Sequence, residues 1–211
     1  MTDRRQAWPS HWRHGLLTIA LVAVIASAGC AASAPSNPQE SEATMTETLS
    51  PEDFTAVQTR LEELMPVLQT EAGAFVELQL NQLREDSCLR PEDEQPQTKT
   101  RWTGQLAGPP ADPETANAAL DAVKALLTAE GWDLDPDEAL SDDQVGTVRE
   151  LYFQKDGLNV TARHERAELV PDTVVLLAAT DCVEHPADHQ MLRSPLDPEY
   201  GNSSQYYPDG A

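Results

Sequence analysis

Apolar residues in this chain recur with two periods, and the change from one to the other orders the reading. From Ser50 the pattern is helical. Ser50 suits a cap, Pro51 suits a first helical position, and Asp53 completes an S-x-x-D capping arrangement. Phe54, Val57, Leu61, Leu64 and Leu68 follow at spacings of three and four. Pro66 should kink or divide this helix. A second helical piece is expected from Gly73 to Leu83, carrying Phe75, Leu78 and Leu83. The segment PEDEQPQ at 91–97 reads as a loop.

Thr98 to Ala107 reads as a strand with Trp102, Gly104 and Leu106 on one face, ended by Gly108-Pro109-Pro110. Asp112 caps the next helix and Pro113 opens it. Ala116, Ala119, Leu120, Val123, Leu126 and Leu127 form its apolar face, and Gly131 is the expected stop. Trp132 to Asp143 reads as an acidic loop. From about Glu150 the period shortens to two. Tyr152–Gln154 and Leu158–Ala162 flank Asp156-Gly157 as a hairpin. Pro171-Asp172 marks a turn before Thr173–Thr180, the apolar run expected as a central strand. These elements predict an α+β domain over 51–185. About four antiparallel strands are covered on one face by two main helices. The Pro-, Asp-, Ser- and Tyr-rich stretch 186–211 reads as a mostly disordered tail.

The amino-terminal third is organised differently. Arg4, Arg5 and Arg13 precede the apolar run Leu16–Ala28, and Ser27-Ala28-Gly29-Cys30 closes it. This run of thirteen residues falls short of the roughly 20 apolar residues that span a bilayer. The segment reads instead as a lipoprotein signal over 1–29, with Cys30 as the lipidated residue. Ser27 stands where such signals usually carry Leu. Ala26-Ser27-Ala28 is also an A-x-A site, which keeps ordinary secretory cleavage open. Arg4-Arg5 raises twin-arginine export, although Gln6-Ala7-Trp8 continues it poorly. Residues 30–50, small, polar and proline-containing, read as a flexible tether.

Cysteine count and charge sharpen this picture. The chain has three cysteines, Cys30, Cys88 and Cys182. In an oxidising compartment Cys88 and Cys182 can pair, leaving Cys30 for the lipid. That bridge would close about 95 residues and contribute roughly 4–5 kcal/mol in the chain-entropy account. The formal net charge is −22 over 211 residues. Without residues 1–29, which hold three arginines and one aspartate, 35 acidic residues face 11 basic ones, a net charge of −24. Such a balance argues against nucleic acid as a partner and against lying flat on anionic lipid. The expected partners are the membrane, through Cys30, and an envelope protein or ligand that the residues do not define. The domain is expected to be a monomer.

Candidate chemistry is sparse. Cys182, His185 and His189 form C-x2-H-x3-H, residue types that suit zinc. The thiol is expected to be oxidised, a fourth ligand is unspecified, and Pro186 prevents a regular helix from aligning the two histidines. No metal site is therefore assigned. Asp133, Asp135 and Asp137 alternate, with Ser141 and Gln144 at EF-hand-like offsets. Glu138 and Gln144 stand where that loop needs Gly and Glu, and Pro136 intrudes, which leaves at most a weak cation site. The sequence holds no G-x-S-x-G, S-x-x-K or H-E-x-x-H, and no cofactor motif. His164, on an expected hairpin strand, is the one candidate base for a hydrolase.

The Cys30 signal, the tether, Gly131-Trp132 after a helix, the Asp156-Gly157 hairpin and Thr180-Asp181-Cys182 closing a strand give the plan a resemblance. It resembles the small lipoproteins of actinobacteria, of the mycobacterial Lpp/Lpr type. The resemblance implies an envelope location, a small α+β domain and no established activity, and it carries over no site residues. The expected function is a lipid-anchored, non-catalytic binding or accessory module. An envelope hydrolase using His164 and a weak divalent-cation binder are the alternatives.

Overall fold

Two helices lie on one face of an antiparallel sheet in the computed structural model, which describes residues 51–90, 95–135, 138–142, 146–167 and 170–210. The signal, Cys30, the tether and the Ser50 cap lie outside the described residues. The chain order is α1 (Pro51–Gly73), β1 (Gln79–Ser87), β2 (Lys99–Gly108), α2 (Pro113–Ala129), β3 (Asp133–Leu134), β4 (Glu138–Asp142), β5 (Gly146–Lys155), β6 (Leu158–Ala167), β7 (Val170–Thr180) and β8 (Val183–Glu184). The α+β class and the two covering helices are as expected. The sheet is larger than the expected four strands, with eight among the described residues. Its order is β1-β2-β7-β6-β5-β3, with β4 also on β5 and β8 also on β2.

Two local elements follow directly from their residues. The Asp112 carboxylate accepts the Thr115 N–H at 2.7 Å, which holds that carboxyl below the usual range. Gly131, at φ +80°, ends α2 as its N–H reaches the Thr128 carbonyl and the Trp132 N–H reaches Leu127. That is the glycine-closed helix end expected here. In the hairpin, Asp156 and Gly157 both take positive φ, 48° and 75°, and Lys155 pairs with Leu158. A two-residue turn of this hand matches the twist of its strands.

The core lies between helices and sheet. Pairing sets Gly104 opposite Ala178 and Leu106 opposite Leu176. Across the next ladder Ala178 meets Val160, and Leu176 meets Ala162. Leu61, Met65 and Leu68 of α1 and Leu120, Val123 and Leu127 of α2 complete the same buried cluster. Gly104 is small because α1 crosses it. A β-carbon there would stand 2.7 Å from the Met65 sulfur.

Four expectations are corrected. The second helical piece does not form: 79–87 is strand β1, whose alternation buries Leu83 and Glu85 on one face. Pro66 does not divide α1, which runs through it to Gly73. Pro171-Asp172 is not a turn but part of β7. The acidic loop 132–143 carries two strand segments, β3 and β4, that pair with β5.

The largest correction concerns the expected disordered tail. Residues 186–210 pack on the folded domain, with Met191, Arg193, Ser194, Asp197 and Tyr207 buried. The strap runs along the outer edge of β1. The Glu85 N–H donates to the Leu192 carbonyl (2.9 Å), and the Ser194 N–H donates to the Leu83 carbonyl (2.9 Å). The Asp197 carboxylate accepts the Leu83 N–H at 2.7 Å. Side chains and backbone together close an edge that would otherwise present unpaired polar groups.

Candidate functional site

β1 alternates between two environments, and each becomes part of a candidate site. Glu85 points to the helix-covered face, opposite Trp102 of β2. Its neighbours Arg84 and Asp86 point to the other face.

The Glu85 side chain has no solvent exposure. One oxygen, Oε1, accepts from the Thr100 hydroxyl in a very short contact and lies 2.6 Å from His189 Nε2. The other, Oε2, accepts the Leu192 N–H at 3.1 Å. His185 Nε2 stands 2.9 Å from the Thr100 hydroxyl and 3.7 Å from Glu85 Oε1. One ligand atom from each of Glu85, His185 and His189 can be chosen so that all lie within 4.8 Å of one another.

Local backbone explains how two histidines meet there. Strand β8 pairs Val183 with Thr100, and the His185 N–H donates to the Thr98 carbonyl (2.8 Å). Pro186 then begins a turn closed by the His189 N–H on the Pro186 carbonyl (3.0 Å). The turn lays one imidazole on the other, with centroids 3.9 Å apart and planes within 9°. Phe54 of α1 meets the His185 ring edge-on at 4.9 Å. Burial, with His189 nearby, holds His185 below the ordinary imidazole range against the opposing pull of Glu85.

Cys182 does not join these histidines. It is bonded to Cys88, with an S–S distance of 2.04 Å. The C-x2-H-x3-H spacing therefore contributes its two imidazoles only, and Glu85, about 100 residues earlier, supplies the acidic partner that sequence reading missed.

The second environment is a groove of about 440 Å³ between β1 and the strap. Arg84, Asp86, Arg90, Arg193, Tyr206 and Tyr207 line much of it, with Arg84 Nε 3.1 Å from the Asp86 carboxylate and Arg193 Nη2 3.3 Å from that of Glu199. The Arg193 guanidinium sits 4.3 Å over the Tyr207 ring and donates to the Glu199 and Asn202 carbonyls at 2.6 and 2.7 Å. Tyr207 donates its hydroxyl to the Glu85 carbonyl at 2.6 Å. Burial, with Asp86 nearby, raises the Tyr207 phenol far above its ordinary value, so it remains a donor.

The remaining sequence candidates lie elsewhere. His164 on β6 is buried, and its Nε2 stands 3.3 Å from the Asp172 carboxylate without a hydrogen-bond partner. The same Asp172 oxygen accepts from Arg166 Nε at 3.1 Å. Asp133 lies on β3 and Asp135 just beyond it, both exposed, while Asp137 lies outside the described residues. No helix among the described residues is long and apolar enough to cross a membrane. No family model, curated protein or solved structure matches the chain.

Proposed function

We propose that this chain is a lipid-anchored, extracytoplasmic binding module without a catalytic role, held at the membrane by Cys30. Its ligand is an anionic molecule with an apolar body. The observation that carries this reading is the groove beneath the strap. Its 440 Å³ falls in the range of small-molecule sites. Three guanidinium groups and two phenol rings gather there on a chain of net charge −22. The chain is acidic overall, yet three guanidiniums meet at this one place; Arg84 is paired with Asp86 and Arg193 with Glu199, so a ligand acid would compete with those carboxylates for them. The Cys88–Cys182 bridge fits an oxidising compartment, and Cys30 is then the cysteine left for the lipid. A tether between anchor and domain would raise the local concentration of the groove near other envelope components.

The anchor has a direct test. The membrane-extracted protein should begin at Cys30, carry added acyl mass and gain two daltons on reduction, and Cys30→Ala should move the chain to the soluble fraction. An unmodified start at Gly29 would remove the lipid from the reading.

The groove is tested with 8-anilinonaphthalene-1-sulfonate, an anionic aromatic probe. Saturable fluorescence enhancement at one probe per chain is expected. Tyr206→Ala, at a half-exposed position, and Arg84→Gln should each weaken it about tenfold, the loss of roughly 1.4 kcal/mol. Binding unchanged in both variants would place the ligand elsewhere.

A further inference from the structure

From the geometry of Glu85, His185 and His189 we infer that these residues form a binding site for a zinc-class divalent transition-metal ion. The site is separate from the groove and does not depend on the function proposed for it.

The donor set selects the ion. Two imidazoles and one carboxylate suit zinc and its neighbours. Calcium and magnesium prefer oxygen ligands alone. Three protein ligands leave a fourth position for water or for the Thr100 hydroxyl, which already touches both Glu85 and His185.

The surroundings resemble the support that metal ligands need. Thr100 and the Leu192 N–H orient the carboxylate, and Phe54 forms an apolar wall against His185. A fully buried carboxylate beside two largely buried imidazoles is an expensive grouping for a core whose other members are mostly aliphatic. It sits where the strap meets β1, so one ion would join elements about 100 residues apart.

The present arrangement is closed by hydrogen bonds, and an ion must open it in two ways. Glu85 Oε1 and His189 Nε2 are 2.6 Å apart, whereas two ligands of one tetrahedral zinc stand about 3.4 Å apart. An imidazole lone pair lies in its ring plane, so two parallel stacked rings cannot both aim at one ion. One ring must turn. His189 is the freer of the two, with its side chain 20% exposed against 9% for His185. It also lies on the short turn after Pro186. The metal therefore enters from the His189 side and swings that ring out of the stack.

The test uses the full mature chain, oxidised and stripped of metal. Isothermal titration with zinc sulfate should show one saturable equivalent per chain. Magnesium and calcium chlorides should not compete. Cobalt should give visible d–d bands of a four-coordinate site without sulfur charge-transfer bands. His189→Ala should weaken zinc binding by more than about 100-fold, beyond the loss typical of an outer-shell partner. Glu85→Gln keeps the acceptor for Thr100 and Leu192, and should weaken binding in the same way if the alanine variant folds poorly. Undiminished uptake by both variants would assign the ion to the acidic surface and overturn the inference. So would the absence of saturable zinc uptake, or uptake that begins only after reduction of Cys88 and Cys182.

Discussion

Replacing Cys88 and Cys182 together by serine is expected to lower the unfolding free energy by about 4–5 kcal/mol. The bond joins residues 94 apart, so its loss returns a long loop of freedom to the unfolded chain. The native state gives the bridge a second role. Cys88 directly follows β1, and Cys182 lies between β7 and β8. Both segments attach to β2 from opposite sides: the Cys88 N–H donates to the Lys99 carbonyl, and Val183 pairs with Thr100. The bridge therefore closes the end of the sheet at which Glu85 and His185 meet. A chain of this size shifts its midpoint by about 2–4 °C per kcal/mol, which makes the expected fall in Tm roughly 8–20 °C. Urea unfolding of the double variant against the oxidised parent would measure it. A loss below about 1 kcal/mol would mean that the unfolded chain gains little from the freed loop.

The elements that sequence reading recovered are those whose causes are local. Asp112 and Thr115 form a cap within four residues, and Asp156-Gly157 forms a turn within two. Their physics is complete inside a short window. The disulfide was also legible, because three cysteines and an exported context leave one natural pairing. Strand β1 was not. Its residues, QLNQLREDS, bury Leu83 and Glu85 among polar neighbours, and Phe75, Leu78 and Leu83 suggested a helical spacing instead. Phe75 in fact stays half exposed. What makes 79–87 a strand is β2 on one side and the strap on the other, and neither is visible in the segment itself.

The candidate metal centre failed to show for the same reason at longer range. Spacing along the chain groups His185 and His189 with Cys182. The acidic member, Glu85, is one carboxylate among 36 acidic residues. Only the pairing of β1 with β2, and of β8 with β2, distinguishes it from the rest. The strap misled by composition. Proline, aspartate, serine and tyrosine are poor core formers, yet here they hold a fixed path by hydrogen bonding rather than by apolar burial. Asp197 accepts both the Leu83 and Glu199 N–H groups, and the Ser194 hydroxyl accepts the Leu196 N–H.

Ending the chain after His185 is expected to destabilise the domain by several kcal/mol and to make it self-associate. Met191 and Tyr207 belong to the strap and are buried in the folded chain. A large apolar side chain such as Met191 contributes about 1.5–3 kcal/mol when fully buried, so the pair alone accounts for several. Truncation also strips the Leu83 N–H of Asp197 and the Glu85 N–H of the Leu192 carbonyl. Edge strand β1 would then offer free donors and acceptors to another copy. Two milder variants separate these contributions. Asp197→Ala leaves the strap's apolar contacts and removes one buried acceptor, for an expected loss of about 1–3 kcal/mol. Ending the chain after Pro198 keeps the β1 pairing but removes Tyr207, and should lower stability without promoting association. Light scattering and thermal unfolding would read both effects. A chain ending at His185 that stayed monomeric and melted with the parent would return 186–211 to the status of a loose tail. The groove and the His189 ligand would lose their support with it, because both exist only while the strap lies along β1.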